Sequence, residues 1–216
     1  MYTSSVSVGI IIIGVMMQVR FGQNSGLGIF SESADIGEVR IPGSVQYDRD
    51  EQVYTLSGSG KNMWFDSDQF RYVFRELQGD FILRAQVDFI GEGVDPHRKL
   101  GWIVRNTLDT SAVHVNAALH GDGLTSLQYR DQTGGMTQER KLNLQHPQVI
   151  QLRRSGDRFT FSAAAFGQPF VSEHISGITL NDTVHAGIYV CSHNPDVLEQ
   201  AVFRNVRIIL PAEKDF

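Results

Sequence analysis

One cysteine, six prolines and no basic run longer than a pair set the first limits on this 216-residue chain. The single Cys191 excludes an intrachain disulfide. It ends the apolar stretch Ala186–Cys191 and reads as a small buried hydrophobe, not a reactive thiol. Arg98-Lys99 and Arg153-Arg154 are basic pairs read as solvated strand ends, and the net charge is −5. That balance argues against a nucleic-acid partner, which needs a basic stripe to meet phosphates. No window offers an amphipathic helix of ten or more residues, and no fixed period recurs, which argues against a propeller or a β-helix. A long apolar run occurs once, from Val6 to Met17, with no Lys or Arg ahead of it. It is short for a bilayer span and has the length of a signal-peptide core. Residues 1–22 are therefore read as a leader, with a retained anchor or a misassigned start as the alternatives. The reading places the mature chain in the periplasm or outside the cell, without a stable membrane span.

Alternation of apolar and polar residues dominates what remains. Phe81, Leu83, Ala85, Val87 and Phe89 fall on one face of a strand, with Arg84, Gln86 and Asp88 on the other. Val113 to His120 repeats the pattern with His114, Asn116 and His120 on its polar side, and Leu124 to Arg130 adds Ser126, Gln128 and Arg130. Further strands are predicted at 45–47, 52–56, 70–75, 99–106, 139–144, 149–154, 158–166, 183–191 and 200–210. The Gly turns His120-Gly-Asp-Gly, Asp131-Gln-Thr-Gly-Gly and Ser155-Gly-Asp separate several of them. Such spacing, with 13 Phe and 21 Gly, predicts an all-β sandwich or barrel spanning 44–211, after a connector at 23–43 and before a short tail at 212–216.

Gly79-Asp-Phe-Ile-Leu, Gly101-Trp-Ile-Val-Arg, Ile150-Gln-Leu-Arg-Arg-Ser-Gly-Asp, Gly187-Ile-Tyr-Val-Cys-Ser-His and Ala201-Val-Phe-Arg-Asn-Val-Arg-Ile follow one another in an order that resembles the concanavalin A-like lectin/glucanase superfamily. The likeness is closest to its uncharacterised bacterial domains, which occur attached to TolB-like or glycan-processing proteins. It implies a jelly-roll of two antiparallel sheets, with ligands on the concave face or its rim. It carries no catalytic signature, and the fold hosts lectins, hydrolases, lyases and adhesion modules alike.

Candidate chemistry follows from the polar face. Glycoside hydrolysis needs two carboxyl groups flanking the bond. Neither Glu-x-Asp-x-x-Glu nor Glu-x-Asp-x-Glu is present, and Glu92 and Asp95 fall in a glycine-rich loop beyond Asp88. His114 and His120 are the candidates for a general base in a hydrolase or lyase, since imidazole titrates near neutrality. They lie roughly 20 Å apart along one strand, too far to share an ion, so no metal and no cofactor is predicted. Trp64 follows a Gly/Ser loop and can offer an indole face to a sugar ring, whereas Trp102 has the parity of the core. Ser192 to Asp196 is a polar loop, making His193, Asn194 and Asp196 secondary candidates. The reading is a carbohydrate-binding module of the cell envelope, with an oligosaccharide or polysaccharide across Arg84, Arg105, His114, Asn116, His120, Gln128 and Arg130. Trp64 forms its edge, and a larger envelope protein is a further partner. A glycan-active enzyme on the same face and a protein-interaction domain without a small ligand are the alternatives.

Overall fold

The computed structural model describes residues 26–212. The leader read in residues 1–22 lies outside them, as does all but the first residue of the tail at 212–216. Fourteen strands and no helix build the described chain. One sheet, which begins at its edge with β1 (Glu32–Ile36), takes the order β1-β4-β13-β6-β7-β8-β9 and the other β12-β11-β10-β5-β14-β3-β2, every pairing antiparallel. The strands that position the site are β4 (Phe70–Gln78), β6 (Lys99–Arg105), β7 (His114–His120), β8 (Leu124–Arg130), β9 (Gln138–Gln145) and β13 (Thr183–Cys191). All six belong to the first sheet. The second holds β2 (Ser44–Asp48), β3 (Val53–Gly58), β5 (Phe81–Ile90), β10 (Val149–Ser155), β11 (Arg158–Ala164), β12 (Val171–Ile175) and β14 (Glu199–Ile209).

The main core forms where the apolar parities of the two sheets meet. Leu100, Trp102, Val104, Val115, Ala117, Leu127 and Ile188 of the first sheet face Phe81, Leu83, Ala85, Leu152, Phe159 and Phe161 of the second. Burying a large apolar side chain stabilises by about 1.5–3 kcal/mol, and this shared interior holds the sheets together. Trp102 points into it, as its parity predicts, and Phe89 packs at its margin.

Two strands were not legible. β1 (Glu32–Ile36) lies inside the stretch read as a connector, and β12 matches no predicted strand. Each is five residues long and stands at a sheet edge.

A second apolar cluster sits on the outer face of the first sheet, where Phe70, Tyr72, Phe74, Ile103, Tyr189 and Cys191 gather with Met63 and Ile36. The segment from Ser59 to Gln69 therefore lies over this face. Gly60 anchors its start. With φ of +134°, Gly60 brings its Cα so close to the Gln69 backbone that an added Cβ would stand 2.1 Å from the Gln69 carbonyl oxygen.

Candidate functional site

The outer face of the first sheet carries the polar residues of β6, β7 and β8 in register. Arg105 stands opposite His114, which stands opposite Arg130; Asn116 faces Gln128, and His120 faces Lys99. The sequence-predicted grouping holds for these strands. It fails for Arg84, which belongs to β5 in the other sheet and lies on the opposite outer surface, with its guanidinium 5.4 Å from the Phe170 ring centre. Parity fixes the side of a strand's own sheet and says nothing about which sheet the strand joins.

Asp68 divides the face into a sealed half and an open half. Its carboxylate is fully buried and accepts a bidentate pair from Arg130, Nη2 to Oδ1 at 2.8 Å and Nη1 to Oδ2 at 3.1 Å. Arg105 Nη2 donates to Oδ2 at 3.4 Å, and His114 Nδ1 stands 3.7 Å from the same oxygen. The arginines also close carbonyls of the overlying loops, Arg130 onto Phe65 and Gly135, and Arg105 onto Thr107 and Asp109. Arg105, His114, Asn116 and Arg130 are thus buried beneath the 59–69 segment, and solvent does not reach them. Burial, followed by the adjacent guanidinium charges, lowers the His114 pKa to about 4 against the opposing pull of Asp68. A neutral, enclosed imidazole of that kind is not available to a substrate.

The open half is a cavity of about 260 Å³ lined by Asn62, Trp64, His97, Lys99, His120, Leu124, Gln128, Glu139, Lys141 and His193. His120 is the sheet residue that best defines it. Its Nδ1–H donates to the Leu124 carbonyl at 2.9 Å, which leaves Nε2 as an acceptor facing the Gln128 amide nitrogen at 3.4 Å. Burial and then the Lys99 charge lower its pKa to about 4. Gln128 also donates to Ser126 Oγ at 3.1 Å and to Glu139 Oε1 at 3.5 Å, so its amide is fixed by neighbours on three strands. Glu139 is the one carboxylate in the lining and pairs with Lys141 at 3.4 Å.

Two loops complete the rim. In the first, a buried Arg98–Glu199 pair at 2.6 Å ties the 91–98 turn to β14, and the Arg98 guanidinium also covers the Phe89 ring at 4.2 Å. His97 follows from this turn, its ring centre 6.4 Å from that of His120 and 5.5 Å from that of His193. In the second, His193 adopts φ of +60° and sets its Nδ1 3.2 Å from Asp95 Oδ2. Burial alone would raise the Asp95 pKa, but the His97 backbone N–H and the His193 ring hold it below its ordinary value. Among the described residues no group of three or more His, Cys, Asp or Glu side chains has the geometry to hold a metal ion.

Trp64 and His193 therefore line the cavity with His120 and Gln128, while Asp196 does not. It is exposed and ion-paired with Arg40. Asn194 spends its side-chain oxygen on the Asp196 backbone N–H. Sequence reasoning missed Asn62, Lys99, Glu139, Lys141 and the hub Asp68. Lys99 shares the parity of Arg105 and was legible in principle. The two basic pairs read as solvated ends are mostly buried instead: Arg98, Lys99 and Arg154 are enclosed, leaving Arg153 exposed. A larger cavity of about 400 Å³ lies between Tyr47, Tyr54, Leu77 and Ile208, but the Tyr54 hydroxyl there is occupied by Ile29 N–H and the Leu27 carbonyl.

Two face-to-face antiparallel sheets of seven strands, with a polar outer face on one of them, make this an all-β jelly-roll sandwich. No protein family matches the sequence, and no curated protein matches it either. Solved structures do share the fold. A functionally unknown protein from Saccharomyces cerevisiae superposes with a TM-score of 0.62 at 12% identity, over 87% of this chain and 99% of that one. The PL-14 alginate lyase from Aplysia kurodai gives 0.55 at 10% identity, over 86% and 93%. The carbohydrate-binding module CBM66 from Bacillus subtilis gives 0.52 at 15% identity, over 84% and 98%. At these identities the likeness is one of fold.

Proposed function

We propose that the chain is a carbohydrate-binding β-sandwich module whose ligand sits in the open half of the first sheet's outer face. The observation that carries this reading is the cavity itself. A partly buried indole, Trp64, meets a convergent set of polar groups, Asn62, His97 and His193, over a floor of Lys99, His120 and Gln128. A sugar ring presents an apolar face for stacking and hydroxyls for directional bonds, and the site offers both on a rigid sheet. At about 260 Å³ it has room for one ring, with the rest of a chain running over the surface. The carbohydrate-binding module and the alginate lyase that share the fold support the ligand class.

Binding is favoured over turnover. His120, with a pKa of about 4, is a poor general base at neutral pH, and His114 is sealed. Glu139, the lone lining carboxylate, has no second acid across the cavity to complete a hydrolytic pair. The proposal includes export to the periplasm or cell surface and attachment to a larger envelope protein that presents the module to glycan. A glycan array probed with the full chain beside Trp64→Ala tests it. Saturable binding that falls roughly tenfold in the variant is expected from the loss of a stacking ring. Binding that Trp64→Ala leaves unchanged refutes the placement of the site.

A further inference from the structure

We propose that the sugar bound in this cavity carries a carboxylate, and that the Lys99 ammonium holds it. The inference rests on the reading of the cavity as a sugar site and adds the charge class of the ligand.

Lys99 is 2% exposed, yet its ammonium meets one neutral acceptor, Asn62 Oδ1 at 3.2 Å. An ammonium has three N–H donors, so two are left without a described protein partner. Among the described residues no carboxylate lies in ion-pair contact with it. The other buried cations differ. Arg98 has Glu199, Arg105 and Arg130 share Asp68, and Arg154 donates to the carbonyls of Leu180, Asn181 and Asp182. A buried charge without a partner is costly, and a perturbed, buried cation that lines a cleft marks a candidate functional site.

No carboxylate of the lining touches that charge, and Asp95, Glu139 and Asp68 act on it only from beyond contact. Lys141 is matched by Glu139. Burial keeps His120 neutral and lowers the His193 pKa, with the Lys99 charge acting the same way on both rings. Burial also lowers the pKa of Lys99 itself, which an arriving anion would reverse. The cavity thus has at its floor an ammonium without an ion-pair partner among the described residues, and hydrogen-bonding groups at its sides. A uronic acid fits that layout. Its carboxylate meets Lys99 and Asn62, its hydroxyls meet His97 and His193, and its ring face meets Trp64.

The test uses the full chain and a panel of polygalacturonate, alginate and hyaluronate, each beside its carboxyl-reduced neutral form, with binding measured by biolayer interferometry. At least one acidic polymer is expected to bind about ten- to a hundredfold more tightly than its reduced twin, the size of a charge-assisted hydrogen bond. Lys99→Met is expected to abolish that preference, Lys99→Arg to keep most of it, and Arg84→Met on the opposite sheet to leave it intact. Thermal melting establishes that each variant is folded, and Lys99→Gln replaces Lys99→Met if the latter is not. Equal binding of acidic and reduced forms, or a preference that survives loss of the Lys99 charge, overturns the inference. Binding of neutral glycans alone overturns it and leaves the sugar site standing. Binding of no polymer, acidic or neutral, overturns both.

Discussion

Asp68→Asn removes one charge and almost no volume, and the account predicts that it is among the most damaging single changes available. Asp68, Arg105 and Arg130 are all fully buried, with Asp68 supplying the carboxylate to both guanidinium groups. Breaking a buried pair from one side leaves an uncompensated charge and typically costs 3–5 kcal/mol. Here two cations are left, and Arg130 loses both arms of its bidentate contact. Their carbonyl partners at Phe65, Thr107, Asp109 and Gly135 soften the loss, so about 4 kcal/mol is the expectation. The assay is urea unfolding at pH 7 followed by tryptophan fluorescence, with Asp196→Asn as the control. Asp196 forms an exposed pair with Arg40, for which less than about 1 kcal/mol is expected. A loss under about 1 kcal/mol for Asp68→Asn would refute the reasoning that this carboxylate seals half the face.

Acid should loosen the fold through buried imidazoles. His114 and His120 have folded pKa values of about 4 against an ordinary 6.5, so the unfolded chain binds protons first as pH falls. Their contribution is intact above about pH 6.5 and is lost toward pH 4, at up to about 3 kcal/mol each, and His114→Asn should flatten that limb of a stability–pH curve. Gly187→Ala should cost about 1–3 kcal/mol by melting, because the new methyl would stand 2.0 Å from the Val73 carbonyl oxygen and 2.7 Å from the Phe74 Cα, neither of which can swing aside. Cys191 is buried and its thiol pKa is raised by burial, so a thiol reagent should label it in denaturant and leave the native protein unmodified over the same time.

Strand parity carried the fold a long way. The alternation along β5, β7 and β8 named the core side of each correctly, down to Trp102 on β6. The strands it missed, β1 and β12, are five-residue edge strands paired on one side, where little apolar alternation is required. The candidate site was half legible. Arg105, His114, Asn116, His120, Gln128 and Arg130 share a face because β6, β7 and β8 are consecutive antiparallel neighbours. What parity could not convey is which of these would be covered. The cover depends on Asp68, which is 37 residues from Arg105 and 62 from Arg130 and sits in a loop without a pattern of its own. Arg84 fails for a related reason, since β5 and β6 follow each other in the chain yet enter different sheets. Lys99 was a different kind of error. Its parity placed it with Arg105, but its neighbour Arg98 made the pair look like a solvated strand end.

The most direct test of the central claim is a chemical-shift map. The full chain, labelled with ¹⁵N, is titrated with the tightest-binding oligosaccharide from the array, and the perturbed amides and side-chain N–H signals are located on the structure. The account predicts shifts concentrated at the Trp64 indole, Asn62, Lys99, His120, Gln128 and His193, with the Asp68 hub and the Arg84 face unmoved. Shifts gathered on the second sheet around Arg84 and Arg207, or no glycan that shifts any signal, would contradict it.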